Sequence, residues 1–69
     1  MKLSTRNVIN GKVLEVKEGM VMAKVKVDIG GGNVLTSLIS TEAVKELDVK
    51  PGAEVQVLIK ATSVMLGTE

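Results

Sequence analysis

A chain of 69 residues that contains no Cys, no His and no aromatic side chain has few ways to stabilise a fold. A domain of this size buries only about 60% of the surface that its unfolded chain exposes, and a disulfide, a metal ion or a partner subunit usually supports it. The lack of Cys excludes disulfides and thiolate metal sites, and the lack of His argues against a structural metal. Association with other copies of the chain is the support that remains, so we expect a multimer.

The same composition argues against several classes of function. Nine basic and eight acidic residues give a net charge of +1, which is too balanced for a general nucleic-acid or membrane-surface binder. The apolar runs are far shorter than the ~20 residues of a membrane-spanning helix. Residues 1–4 lack the apolar core of a secretory signal, so we expect a cytoplasmic protein. No nucleophile–base pair is evident, which makes an enzyme the least expected class.

Alternation of apolar and polar residues predicts the strands. Residues 20–29 show it best, with one apolar face that consists of Ala23, Val25, Val27 and Ile29. The glycine-rich run from Gly30 to Asn33 predicts a hairpin loop with positive φ angles. The other predicted strands are Val13–Lys17, Val34–Ile39, Glu54–Lys60 and Ser63–Leu66.

Residues Ser40–Leu47 are the one helix candidate. Ser40 is a natural N-cap, Glu42 lies in the first turn where the helix dipole favours acids, and Pro51 lies beyond the expected end. The resulting order, β-β-β-α-β-β, predicts a mainly β fold: a small OB-like five-stranded barrel with one short helix between strands 3 and 4. No repeat or linker interrupts it, so residues 1–69 are expected to form a single domain.

Three polar stretches carry the remaining chemistry, and each has a structural alternative. Arg6 is the only Arg, and its planar fork suits a bidentate grip on an oxyanion with Ser4 nearby. The structural alternative, which the pattern alone favours, is an exposed side chain on an N-terminal arm. Backbone amides at the start of the helix, near Ser40, suit an anion, or Ser40 merely caps the helix. Lys60 precedes two hydroxyl residues, which are otherwise an ordinary turn.

Two other readings are weaker. The triple glycine lacks the Gly-Lys-Ser/Thr ending and the strand-to-helix context of a phosphate-binding loop. OB-like barrels often bind single-stranded nucleic acid, but those sites use aromatic stacking platforms in a basic groove. This chain has neither, so we expect no nucleic-acid partner.

The polar stretches, taken with three further motifs, resemble the molbindins, the small molybdate-binding Mop proteins with a TOBE/MOP-like domain. The resemblance covers essentially the whole chain. Its motifs occur in this order: Ser4–Asn7, Gly11–Val13, Gly31–Asn33, Thr36–Ser40, Val49–Gly52 and Lys60–Met65. It implies an OB-like barrel that assembles as a homohexamer, a trimer of dimers, with oxyanion sites between the subunits.

The resemblance also implies a role for each site residue. Arg6 and Lys60 would neutralise a molybdate or tungstate dianion, and Ser4 and Ser40 would donate hydroxyl protons. Ala43 and Ala61 would offer backbone N–H groups. No catalytic cofactor and no metal ligand are implied, since molybdenum would be bound only as the oxyanion.

The function expected from this resemblance is non-enzymatic binding and intracellular storage or buffering of molybdate, with tungstate as a second ligand. An alternative is an interaction module that binds a pterin cofactor or a protein partner, with anion binding incidental.

Overall fold

A computed structural model describes residues 4–69 of the chain. Four antiparallel strands form one sheet in the order β3-β2-β1-β4. The elements in chain order are β1 (Asn7–Glu18), β2 (Met22–Gly30), β3 (Asn33–Ser40), α1 (Thr41–Glu46), β4 (Glu54–Ile59) and a short 3₁₀ turn (Ala61–Ser63).

Strand β1 holds the sheet together because it pairs with two different strands. Its first half pairs with β4, from Asn7 opposite Ile59 to Lys12 opposite Glu54. Its second half pairs with β2 as far as Glu18. The register of the second pairing shifts between Val13 and Glu15, and a bulge of this kind bends a strand and increases its twist.

The predicted start of this strand at Val13 was therefore wrong by six residues. Residues 7–12 include Asn7, Asn10 and Gly11, which are poor strand formers by propensity. Six consecutive backbone pairs with β4 override that local preference.

The core is small and built from short aliphatic side chains. Its buried members are Val13, Ala23, Val25, Val27 and Val44. Three of the four residues predicted to share the inner face of β2 are buried, and the fourth, Ile29, is partly buried against the core. Val44 brings α1 onto this face, so the short helix is fixed by packing rather than by its own length.

The predicted turn and helix ends are confirmed. Gly30, Gly31 and Gly32 all have positive φ angles, of 95°, 62° and 78°, which glycine adopts without steric cost. Helix α1 begins after Ser40, whose side chain caps it. It ends before Asp48, which has a φ of 54°.

The fifth strand and the closed barrel are corrected by the structure. Among residues 4–69 the sheet has four strands and is open. Lys60 accepts a hydrogen bond from the Ser63 N–H at 2.8 Å, which turns the chain into the 3₁₀ turn, and residues 64–66 follow outside the sheet. Apolar composition indicated that this segment could form a strand, but not that its own chain would pair with it.

Within the described residues, no helix has the length and apolar character needed to cross a membrane.

We expect Gly11→Ala to destabilise the fold. A Cβ at this position would lie 2.5 Å from Val27 Cγ1 and 3.0 Å from the Asp28 carbonyl oxygen, and overpacking of this kind costs about 1–3 kcal/mol. Gly67→Ala is the matched control, because a Cβ there meets nothing within 4 Å. Denaturant unfolding at one chain concentration measures both variants, and equal midpoints would contradict the prediction.

Candidate functional site

The two predicted cations lie at one end of the sheet. Asn7 and Ile59 are the last backbone pair of β1 and β4, and the Asn7 side-chain amide donates to the Ile59 carbonyl oxygen at 3.0 Å. Arg6 and Lys60 are the next residues outward on these two neighbouring strands, and both are exposed. Arg6 and Lys60 are far apart in the sequence, so their proximity could not be predicted from it. The register of β1 against β4 shows that they are neighbours.

Neither cation is neutralised within the described chain. The one ion pair among residues 4–69 joins Lys50 to Asp48, at 3.6 Å. Lys60 adopts an extended conformation (φ −65°, ψ 135°), and its side chain makes no capping hydrogen bond to the 3₁₀ turn. Ser4 and Ala61 are exposed on the same two chain segments. We call Ser4, Arg6, Lys60 and Ala61 the cationic half-site.

The other predicted residues lie where β3 meets α1. Ser40 Oγ accepts a hydrogen bond from the Ala43 N–H at 3.0 Å. Two more hydrogen bonds, both 2.8 Å, anchor this point to the β1–β2 turn: the Thr41 N–H donates to the Val21 carbonyl, and Thr41 Oγ1 donates to the Gly19 carbonyl. We call Ser40 and Ala43 the helix-start half-site.

The Ser40 cap defines which donors this half-site can offer. The Ala43 N–H is already bonded to Ser40 Oγ, so it is not free to bind an anion while the cap is intact. The Ser40 hydroxyl proton remains available, because a hydroxyl can accept one hydrogen bond and donate another. Both readings of Ser40, as a cap and as an anion donor, are therefore compatible.

The two half-sites lie at opposite ends of β1. Ser40 pairs with Met22 on β2, and the adjacent Ala23 pairs with Glu18 at the end of β1. Arg6 precedes Asn7 at its start. The 12 residues of this strand extend over roughly 36 Å along its path at about 3.3 Å per residue. Even with the bend at the bulge, one small anion cannot lie within hydrogen-bond distance of both half-sites of the same chain.

Apolar surface is the feature that residue-by-residue sequence reasoning missed. The hydrophobic content of 45% indicated that such a surface exists, but it did not indicate where on the fold it lies. Fully or largely exposed side chains include Met20, Val21, Leu38, Leu47, Met65 and Leu66. An open groove of about 260 Å³, which we call the β4 groove, is lined by Val25, Val27, Ser37, Ile39, Leu47, Val49, Val55, Gln56, Val57 and Leu58.

A second, shallow depression contains no predicted site residue. It is lined by Asn10, Glu54, Val55 and Gln56. The Glu54 carboxylate would repel an oxyanion, so this depression is a poor candidate for the anion site.

The profile of the TOBE domain family matches residues 3–66. The chain belongs to the TOBE domain family. A probable molybdenum-pterin-binding protein of Haemophilus influenzae is 55% identical over 69 residues, which cover 100% of both chains. The TOBE assignment and this similarity confirm the resemblance to the Mop proteins.

Two solved structures agree with the fold. A molybdate-binding protein from Sporomusa ovata superposes with a TM-score of 0.92 at 38% identity, over 99% of this chain and 100% of that one. The cytoplasmic molybdate-binding protein ModG, solved with molybdate bound, superposes with a TM-score of 0.94 at 42% identity. This chain is covered completely and corresponds to 49% of the ModG chain. The mainly β, OB-like fold is thereby established.

Two substitutions of Ser40 separate its structural role from any binding role. Ser40→Ala removes the acceptor for the Ala43 N–H, and loss of an N-cap costs about 1 kcal/mol. Ser40→Asp keeps an acceptor at the cap and places a negative charge at the positive end of the helix dipole, so we expect near wild-type stability. Thermal unfolding compares the two variants. A Ser40→Asp protein as unstable as Ser40→Ala would contradict this account of the cap.

Proposed function

We propose that this TOBE-family chain binds molybdate, without catalysis, between the subunits of a homo-oligomer, and that it stores or buffers the anion in the cytoplasm. The names of its relatives support the ligand, since they describe molybdate-binding and molybdenum-pterin-binding proteins. For the assembly we propose the homohexamer of the molbindins, built as a trimer of dimers from chains that each form one domain. Tungstate, a tetrahedral dianion of the same kind, is the expected second ligand.

The separation of the two half-sites is the observation that carries this proposal. Arg6 and Lys60 extend from one end of β1 and β4, and Ser40 lies near the other end of β1. If both half-sites bind one anion, the cationic half-site of one subunit must face the helix-start half-site of another. Each chain then contributes to two sites and completes neither alone.

The chemistry of the half-sites matches a tetrahedral dianion. Molybdate at neutral pH has four acceptor oxygens and no proton to donate, so a selective site offers donors only. Arg6 and Lys60 supply two positive charges against its two negative charges. The hydroxyls of Ser4 and Ser40 and the Ala61 N–H supply neutral donors. Burial between subunits lowers the local dielectric, which strengthens these contacts relative to the exposed positions of the single chain.

A pterin-binding module is the second candidate. The name of the Haemophilus influenzae relative favours this candidate, because that name describes a molybdenum-pterin-binding protein. The absence of aromatic side chains removes the usual stacking surface for a flat heterocycle. Parallel titrations with molybdate and with a free pterin separate the candidates, since a pterin module requires pterin binding that Arg6→Ala leaves intact.

Calorimetric titration tests the proposal directly. We expect saturable binding of molybdate and tungstate and weak binding of sulfate, whose smaller ion leaves the donors too distant. Arg6→Ala should weaken molybdate binding by at least about tenfold, since a hydrogen bond to a charged group contributes about 1.5–3 kcal/mol. Lys24→Ala removes an exposed cation of β2 that belongs to neither half-site and is the control. No heat with any of these anions would end the proposal.

Mixing two defective variants tests whether the site is shared between subunits. Arg6→Ala chains retain an intact Ser40, and Ser40→Asp chains retain an intact Arg6. Random co-assembly of equal amounts should restore roughly a quarter of the sites, because each site draws one half from each of two chains. Each variant assembled alone should have only weak sites, with an affinity for molybdate at least about tenfold below that of the wild type. A mixture as inactive as the separate variants would show that both halves come from one chain.

Molybdate should raise the melting temperature of the wild-type protein, because a ligand that binds only the assembled state stabilises it by mass action. Lys60→Ala should reduce this rise, and Lys24→Ala should not. A thermal shift in Lys60→Ala equal to that of the wild type would remove Lys60 from the site.

A further inference from the structure

Two methionines lie at the β1–β2 turn, and both are accessible to solvent. Met20 is fully exposed and Met22 is 49% exposed. Among residues 4–69, the core cluster and the side chains packed against it contain no methionine. An accessible thioether that does not stabilise the core can be oxidised to the sulfoxide without loss of core packing.

Met22 differs from Met20 because it lies in the sheet, directly opposite Ser40. Opposite residues of antiparallel strands direct their side chains to the same face, with Cβ atoms about 4.5–5.5 Å apart. This is the outer face of the sheet, since the next residue of β2, Ala23, is buried in the core. The Met22 thioether is therefore a neighbour of the Ser40 hydroxyl, the side-chain donor of the helix-start half-site.

Backbone hydrogen bonds hold the turn in this position. The Gly19 N–H donates to the Met22 carbonyl at 2.8 Å. Thr41, the residue after Ser40, donates its N–H to the Val21 carbonyl and its hydroxyl to the Gly19 carbonyl. Met22 therefore cannot move away from Ser40 without breaking bonds on both sides of the turn.

We propose that Met22 is an oxidation site through which a hydroperoxide weakens oxyanion binding. A lone pair of the thioether sulfur attacks one oxygen of hydrogen peroxide, the S–O bond forms as the O–O bond breaks, and water leaves. The sulfur is oxidised by two electrons and the peroxide is reduced by two. The product is a sulfoxide, which is polar and has an acceptor oxygen but no proton to donate.

The sulfoxide oxygen competes with the anion for the Ser40 hydroxyl. Ser40 Oγ already accepts a hydrogen bond from the Ala43 N–H, and a hydroxyl has one proton to donate. When the sulfoxide takes that proton, the anion loses a donor, and the partial negative charge on the sulfoxide oxygen repels the oxygens of the anion. This inference rests on the proposed function, because it requires that Ser40 bind the dianion.

Treatment with hydrogen peroxide tests the inference on three proteins. They are the wild type, Met22→Leu, and a double variant, Met20→Leu with Met65→Leu, which keeps Met22. Peptide mass spectrometry follows sulfoxide formation at each methionine, and calorimetric titration measures the molybdate affinity before and after treatment.

We expect treatment to weaken molybdate binding about tenfold in the wild type and in the double variant, the fold-change for loss of one hydrogen bond to a charged group. Met22→Leu should keep the affinity that it has before treatment. Met1 is present in all three proteins, so its oxidation cannot produce this difference. Incubation with methionine sulfoxide reductases should restore the wild-type affinity, because they reverse this oxidation.

The possible contrary results are distinct. An unchanged affinity with Met22 fully converted to the sulfoxide overturns the inference, and so does a Met22 that stays reduced while Met20 is oxidised. An equal loss in Met22→Leu also overturns it, since another residue would then be responsible. If the untreated wild type binds no molybdate, the proposed function fails as well, whereas normal binding before treatment confines the failure to the role of Met22.

Analytical ultracentrifugation separates a local effect on the site from loss of the assembly. We expect the treated wild type to sediment as the untreated protein does, because the change is confined to one side chain on the outer face of the sheet. If treatment dissociates the wild type but not Met22→Leu, the loss of affinity follows from dissociation, and the competition for the Ser40 hydroxyl is overturned.

Discussion

The divided pairing of strand β1 is the constraint on which the rest of the molecule depends. Its first half bonds to β4 and its second half to β2, so one strand carries both halves of the sheet. The same arrangement brings Arg6 next to Lys60, although 54 positions separate them in the sequence. It also places Ser40 at the far end. A single element thus both builds the cationic half-site and keeps it apart from the hydroxyl that would complete it.

The small core explains why such a chain would assemble. Among residues 4–69, five hydrophobic residues are buried and the largest of them are valines, while larger side chains such as Met65 and Leu66 remain almost entirely exposed. At about 25 cal/mol per Å² of buried apolar surface, covering these side chains is a substantial source of free energy that the single chain does not use. Association would therefore add stability and, in the proposed function, complete the anion site.

Features encoded by neighbouring residues could be predicted from the sequence. The inner face of β2 follows from alternation, the hairpin from Gly30–Gly32, and the helix start from Ser40, whose cap the structure confirms. The start of β1 at Asn7 could not be predicted, because it depends on pairing with β4, which is distant in the sequence. Residues 63–66 were wrongly assigned to a fifth strand of the same sheet, since local pattern does not reveal whether an edge is available.

The candidate site could likewise be predicted from the sequence only in part. The residue types of the site could be identified from chemistry and family resemblance. The hydrogen bond from the Ala43 N–H to Ser40 and the distance between the half-sites could be known only from the fold.

The distance between the two half-sites has a thermodynamic consequence. If two half-sites from different chains bind one dianion, the anion stabilises the assembly by the same free energy with which the assembly improves anion binding. The two cations of one chain take part in this coupling, because Arg6 and Lys60 repel each other while the site is empty, and a bound dianion would relieve that repulsion and join them to Ser40 of the neighbouring chain.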